Sequence, residues 1–307
     1  MKPVINVQHK KMEVVSSSGI DYSKYLAKKR NCVICGKQDF QLWVKSGVFD
    51  VVRCDGCGLI FVNPCLNEKG LKIVYEGHHK GRVTNTEECI KRAVMYKIDR
   101  DFLLEVIDKG KILDVGCGGG FFLDKFDPAK WEKSGIEIDE DAVRHAREHF
   151  GLPNVRVWDS AKMPFVDAEF DVVVFRGSLE HIADPRPAVE EAKRMLKRNG
   201  YLYICATPNV DSFCADIYKD KWNQFDAKEH IFMFSLKTLK KLIEPMGFRA
   251  VKTTAPYEET PYCDIENDMR KVLADYQLYK EGKHGEMGIS PAFWGNMLSI
   301  IFRKQGR

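Results

Sequence analysis

Four cysteines fall in two pairs, Cys32-x-x-Cys35 and Cys54-x-x-Cys57. The gap between the pairs is that of a four-cysteine zinc site. Gly36 and Gly58 each follow the second cysteine of a pair, where a tight turn lets backbone amides point at the thiolates. Four thiolates fill a tetrahedral shell, so the expected Zn2+ is structural, with no open position for catalysis. A thioredoxin-type pair would need a βαβ context, which this stretch lacks. Cys65, Cys89, Cys117, Cys205, Cys214 and Cys263 form no framework.

A second candidate site is KILDVGCGGGFFLD, residues 111–124. So many glycines after an apolar run suit a loop whose backbone must come close to a ligand. Counted from Gly116, the last glycine of a dinucleotide fingerprint would fall on Phe121. A P-loop fails as well, since no G-K-[ST] follows. What remains is D-x-G-x-G-x-G: Asp114, Gly116, Gly118 and Gly120. Downstream, Glu137 ends a strand in GIEIDED and Asp159 ends another in VWDSAKMPF. An acid at the first of these positions reaches ribose hydroxyls. One at the second can accept from an adenine amino group. Each acid alone also reads as a helix N-cap or a surface charge. Three acids at three successive strand ends would face one crevice, which points to an adenosyl ligand.

Two histidines, His181 in SLEHI and His230 in KEHIF, are the candidate general bases. Either is equally a structural histidine. Tyr75, Tyr96, Trp222 and Phe225 are candidate walls for an acceptor, or core residues. His78, His79 and Cys65 lie near the cysteine pairs without being needed as ligands.

The elements that must position these residues follow from the apolar pattern. Residues 1–29 read as an irregular lead-in. Residues 30–65 carry short strands, QLWVKS, VFDVVR and LIFVN, which would build a zinc ribbon. Residues 66–110 read as helical. Ile90, Val94, Ile98, Phe102 and Val106 are spaced by four, which marks one helix face. From residue 111 to 307 strands alternate with helices: KILDV, FFLDKF, WEKSGIEI, DEDAVRHAREHF, VRVWD, FDVVVF, PRPAVEEAKRMLKR, YLYICA, SLKTLKKLIEPM, RAVKTTA and MLSIIFRK. Near-continuously apolar strands with helices between them predict a parallel sheet covered on both faces. The fold class is therefore α/β, doubly wound and Rossmann-like. The helix PRPAVEEAKRMLKR is expected to stop at Asn199-Gly200. Residues 257–290 are the least patterned and read as an insertion before the last strand.

These stretches resemble class I S-adenosylmethionine-dependent methyltransferases. The likeness rests on ILDVGCGGGFFL, GIEIDEDAV, WDSAKMPFVDAEFDVVVF, SLEHIADPRPAVEEAKRMLKRNGYLYI and TPN at 207–209. It runs from about residue 90 to the end. With CVICG and CDGCGLIFVNP it extends to members with an N-terminal zinc ribbon, a bacterial small-molecule and glycan-pathway group. It implies a seven-stranded sheet with S-adenosylmethionine at its first loop. Gly116, Cys117, Gly118, Gly120 and Phe121 would shape the loop under the methionine part, with Asp114 beside its amino group. Glu137 would bind the ribose and Ile138 pack near the adenine, which Asp159 and Ser160 would meet. Arg176 and Gly177 would line the methionine side. One departure is RNG at 198–200 in place of the more frequent P-G-G; Asn-Gly still makes a tight turn.

The expected activity is methyl transfer to a small-molecule or sugar/glycan acceptor. An RNA methyltransferase using the ribbon for substrate binding stays open, as does a non-catalytic binder of adenosylmethionine. FRGSLEH stands where base amino-methylating enzymes carry (N/D)-P-P-(Y/F). A net charge of +4, with both signs mixed, leaves no basic footprint for nucleic acid. The 307 residues allow one large core plus a smaller module. No apolar run approaches the ~20 residues of a membrane helix. The N-terminal stretch has no apolar signal core, so a cytoplasmic chain is expected.

Overall fold

The computed structural model describes residues 20–75, 86–159 and 162–306. The first strands are β1 (Phe40–Ser46), β2 (Phe49–Cys54) and β3 (Ile60–Val62), an antiparallel set. Helix α1 (Glu68–Tyr75) follows, then α2 (Thr86–Leu104).

The larger sheet begins with β4 (Gly110–Val115) and β5 (Trp131–Glu137). Between them the expected helix FFLDKF is a single 3-10 turn, Leu123–Lys125. Pro128 biases the residue before it away from the helical region, and Phe122 and Phe126 are already buried edge to face. Helix α3 (Glu140–Phe150) starts where Asp139 accepts from the amides of Asp141 and Ala142, and stops at a left-handed Gly151. Strands β6 (Val155–Val157) and β7 (Phe170–Arg176) come next.

Helix α4 (Pro185–Met195) ends earlier than expected, and β8 (Leu196–Pro208) starts before Asn199-Gly200. The pairing shifts between Phe170 and Val172, so Asn199 and Gly200 lie in a bulge of β8. A side chain on Gly200 would press within 3.0 Å of the Asp171 carbonyl. After α5 (Phe213–Tyr218) comes β9 (Phe232–Met233), and α6 (Leu236–Ile243) begins at a capping box of Ser235 and Thr238. The chain closes with β10 (Phe248–Thr254), α7 (Ile265–Lys280) and β11 (Met297–Lys304).

The seven strands run in the order β10-β11-β8-β7-β4-β5-β6. This is the α/β Rossmann-like sheet of the expectation, with one difference. β8, β7, β4, β5 and β6 are parallel, whereas β11 lies antiparallel between β8 and β10, so the sheet is mixed. The chain turns outward from β4 through β5 to β6, then restarts at β7 on the other side. The crevice at that reversal is where ligands of such sheets bind.

The small sheet is not separate from the large one. β9 adds to β3, pairing Ile60 with Met233 and Phe61 with Phe232. One continuous core holds Cys54, Phe61 and Val62 together with Phe232, Leu239 and Val173. Lys241 donates to the Cys57 carbonyl at 2.9 Å and Arg186 to the Ile34 carbonyl at 2.6 Å.

Candidate active site

Strand β4 delivers the glycine loop to the reversal point. Gly116 and Cys117 both donate to the Ile136 carbonyl of β5, which fixes the loop against its neighbour. Gly116, Gly118 and Gly120 have φ of +78°, +52° and +82°, where side chains are strained. A Cβ on Gly116 would meet Ser178, and one on Gly120 would meet Leu152 and Ala146 of α3. A Cβ on Gly118 would meet nothing within 4 Å. Gly120 thus makes the close helix approach that the dinucleotide pattern assigns to its last glycine, one residue before Phe121.

Phe121 is not at the glycine turn but in an aromatic group. Its ring stacks on Tyr96 at 6.1 Å and meets His145 and Phe150. The Cys117 side chain turns inward, and a Cβ on Gly135 would strike its sulfur. Burial pushes that thiol well above its usual range, so it is no nucleophile.

The acids differ in state. Asp114 is buried, and its Oδ1 has no hydrogen-bond partner among the described residues. Burial, opposed by Arg176 and reinforced by Glu137, pushes its carboxyl up to about 7. Glu137 accepts from the amides of Gly118 at 2.8 Å and Ile138 at 2.7 Å, so one carboxylate spans the loop and the next strand end. Ile138 is 61% exposed, an apolar surface beside that carboxylate. Asp159 is exposed just beyond β6. Ser160 lies outside the described residues, as do His78 and His79.

A cationic, adenosine-bearing ligand fits these observations. An ammonium would satisfy the orphaned Asp114 oxygen. The space over Gly118 admits backbone approach, and Glu137 and Ile138 offer a carboxylate and an apolar face on the adenosine side.

Arg176, at the end of β7, is engaged by α2. Its guanidinium grips Asp99 of α2 at 2.8–2.9 Å and lies over the Tyr96 ring at 4.1 Å. Asp99 is buried, and burial raises its carboxyl against the pull of Arg176. The pair fixes α2 to the end of β7. It also sets which face of α2 turns inward: Asp99, Phe102 and Leu103 are buried, while Ile90 is 63% and Val94 39% exposed. The expected Ile90–Val106 face is therefore only partly buried. Beside Arg176, Gly177 (φ +55°) donates to the Cys205 carbonyl.

The two histidines meet. Ser178 ties β7's end to β4's by donating to the Val115 carbonyl at 2.6 Å, and a 3-10 turn, Leu179–His181, follows. His230 arrives on a turn in which Asp226 accepts from the amides of Lys228 and Glu229. The rings of His181 and His230 lie 4.8 Å apart, edge to face. Nδ1 of His181 is 3.0 Å from the Glu229 carbonyl, and Nδ1 of His230 is 3.1 Å from that of Gln224. A carbonyl only accepts, so in these contacts each Nδ1 is the donor, and the neutral form of either ring then has its lone pair on Nε2. Burial lowers the His230 pKa, favouring the neutral ring. Tyr75 of α1 comes within 3.1 Å of His181 Nδ1.

Sequence reasoning missed Glu180, between Leu179 and His181. It is 1% exposed, burial pushes its carboxyl up to about 7, and Thr207 at the end of β8 donates to it at 3.4 Å. Asp99 was missed too. The signal for Glu180 was its place next to His181; for Asp99 the sequence held none, since a charge on a helix reads as surface. Of the candidate walls, Tyr75 meets His181, and Tyr96 meets Phe121 and Arg176. Trp222 is buried in the core, and Phe225 packs on Trp43 of β1.

The four cysteines converge. Cys32 and Cys57 sulfurs are 3.4 Å apart, Cys35 and Cys54 3.5 Å, and all four lie within 4.8 Å of one another. A tetrahedron with ~2.3 Å bonds has edges of about 3.8 Å, so a zinc ion fits. Gly36 donates to the Cys32 carbonyl and Gly58 to that of Cys54, both at 2.8 Å with positive φ. The thiols of Cys32 and Cys57 are pushed up by burial, so protons must leave as a cation enters.

A family described as a methyltransferase domain matches residues 90–253. An uncharacterised protein of Methanocaldococcus jannaschii is 30% identical over 195 residues, covering 64% of this chain and 86% of its own. A Mycolicibacterium smegmatis protein named a probable S-adenosylmethionine-dependent methyltransferase is 27% identical over 155 residues, 50% of this chain. The match spans 58% of that relative's length. A chain from the solved complex of the Haloferax volcanii Trm112 methyltransferase activator with a methyltransferase superposes with a TM-score of 0.54. It is 15% identical and covers 78% of this chain and 100% of that one, a likeness of fold.

Proposed function

Because the chain belongs to the methyltransferase-domain family, we propose that it moves a methyl group from S-adenosylmethionine to a hydroxyl of a small-molecule or sugar/glycan acceptor. The observation that carries this reading is the orphaned, buried Asp114 oxygen beneath an open glycine loop. When bound, the donor supplies an electrophilic methyl on a sulfonium. Asp114 receives its ammonium. Gly116, Gly118 and Gly120 pass backbone beneath its methionine part, and Glu137, Ile138, Asp159 and Ser160 form the adenosine side.

The chain's remaining task is to orient the acceptor and exclude water, which can supply ~7–11 kcal/mol. His181 or His230 takes the acceptor's proton through Nε2. Tyr75, the last residue of α1 within the 66–110 segment, touches His181, which supports reading that segment as a cap over the acceptor side. The 30–65 segment holds structural Zn2+ through Cys32, Cys35, Cys54 and Cys57 and braces the large sheet. Among the described residues no helix is long and apolar enough to cross a membrane.

Two measurements test this. Calorimetric titration with S-adenosylmethionine should give a micromolar or tighter complex; no binding overturns the reading. A labelled-methyl screen over nucleotide sugars, glycans, small metabolites and bulk RNA should label a hydroxyl compound. Transfer to RNA alone overturns the acceptor class.

A further inference from the structure

We propose that Glu180, His181 and His230 hold a first-row divalent metal ion to which the acceptor hydroxyl binds. This deepens the methyltransferase reading above and rests on it, with metal ligation at the two Nε2 atoms taking the place of proton transfer to them. One ligand atom from each of the three residues lies within 4.8 Å of the others. Two imidazoles and a carboxylate are a recurrent donor set for zinc and neighbouring metals, and they leave positions open for a substrate.

Three observations support the assignment. Both histidines present Nδ1 to a backbone carbonyl, Glu229 for His181 and Gln224 for His230. That is the outer-shell bond that fixes a metal-ligating ring and leaves Nε2 as the donor. Glu180 is a buried carboxylate with no salt bridge among the described residues, and Thr207, at 3.4 Å, is a long partner. Buried carboxylates are normally paired or bound to a metal. The nearby basic side chain, Arg176, is spent on Asp99. Finally, the three residues stand on the loop after β7 and the turn before β9, with Ser178 joining the first of these to the donor loop.

The chemistry balances without a further reactant. Bound to the cation, the acceptor hydroxyl releases its proton to water, because a divalent cation lowers the pKa of a bound oxygen. The oxygen's electron pair then forms the O–CH3 bond. The S–CH3 bond breaks with its pair remaining on sulfur, and the cation's charge is unchanged. On a five- or six-coordinate ion these three protein donors leave room for two acceptor oxygens, so the class selected is a hydroxyl beside a second oxygen donor, as in vicinal hydroxyls.

The test uses the full chain loaded with one equivalent of zinc, which the four cysteines take. Titration with Co2+ should then add one equivalent. Its weak visible bands, without sulfur charge-transfer absorption, mark nitrogen and oxygen ligands. His230→Gln and Glu180→Gln should weaken that binding by at least ~100-fold, beyond the ~10–100-fold cost of losing an outer-shell partner. The wild-type titration needs no variant, so a misfolded variant does not decide the matter. No Co2+ uptake by the zinc-loaded wild-type chain overturns the proposal, as does uptake unchanged in both variants. S-adenosylmethionine is titrated into the same sample. Donor binding without the second metal sinks only this inference; absent donor binding sinks the methyltransferase reading.

Discussion

Gly118 and Gly120 are two residues apart on one loop, both with positive φ, yet their Cβ positions point to different surroundings. Placing alanine at either forces an L-residue into left-handed backbone, a cost of ~1–2 kcal/mol. At Gly118 that is the whole folding cost, since nothing stands within 4 Å of the added carbon. At Gly120 the carbon would come 2.8 Å from Leu152 Cδ1, 2.9 Å from Ala146 Cβ and 3.3 Å from Ala146 Cα. Ala146 is helix backbone and cannot swing away, so overpacking adds ~1–3 kcal/mol. At ~2–4 °C per kcal/mol, Gly120→Ala should melt about 2–12 °C below Gly118→Ala. Donor binding should show the reverse order. The Gly118 methyl enters the open space, where a clash of ~1–3 kcal/mol weakens Kd by roughly 5- to 150-fold. Gly120→Ala, assayed well below its midpoint, should bind nearly as the wild type. Scanning calorimetry and isothermal titration on the two variants check both orders. Equal melting points with unaltered donor affinity in Gly118→Ala would refute the assignment of the crevice.

Other consequences can be measured directly. Asp99→Ala strands the buried Arg176 charge and should cost ~3–5 kcal/mol in urea unfolding, part of it regained in the Asp99→Ala/Arg176→Met double variant. Stripping zinc with a chelator, or Cys54→Ser, should lower the melting point of the whole chain in one transition, because the small and large sheets share one core; two separate transitions would argue against that unity. Asp114 titrates near 7 when folded and near 3.8 when unfolded, so the native state binds more protons between those values. Its burial therefore makes the fold less stable as pH rises from about 4 to 7. A cationic donor prefers the carboxylate, so its affinity should fall by up to about tenfold per pH unit below 7. Asp114→Asn should flatten that slope in calorimetric titrations.

The parts of the site that were legible in the sequence share one property: their local spacing is the signal. The cysteine pairs, the glycine loop and the acids at strand ends are each written within a few residues. What was not legible depends on partners distant in the chain. The face of α2 could not be read because Asp99 is buried by Arg176, which lies across the sheet. Phe121 was read only against the dinucleotide pattern, because its ring partners Tyr96 and Phe150 come from separate helices. The antiparallel entry of β11 follows from α7 and its flanking loops, which show no periodic pattern. The meeting of Glu180, His181 and His230 depends on β9 joining the small sheet, which two residues, Phe232 and Met233, could not announce.

That short strand also dictates an order of events during synthesis. The segment bearing the cysteines leaves the ribosome early, with β1, β2 and β3 able to pair at once. β3 then keeps an unsatisfied edge until Phe232 and Met233 arrive, after β4 through β8 have been made. An open apolar edge is a template for wrong pairing, and its long wait belongs to the non-local contacts that slow folding. His230 lies two residues before the strand that ends this wait. The last step in closing the cysteine module is therefore also the step that brings His230 to His181, so a nascent chain gains this part of its chemistry only when that earlier-made segment is finally sealed.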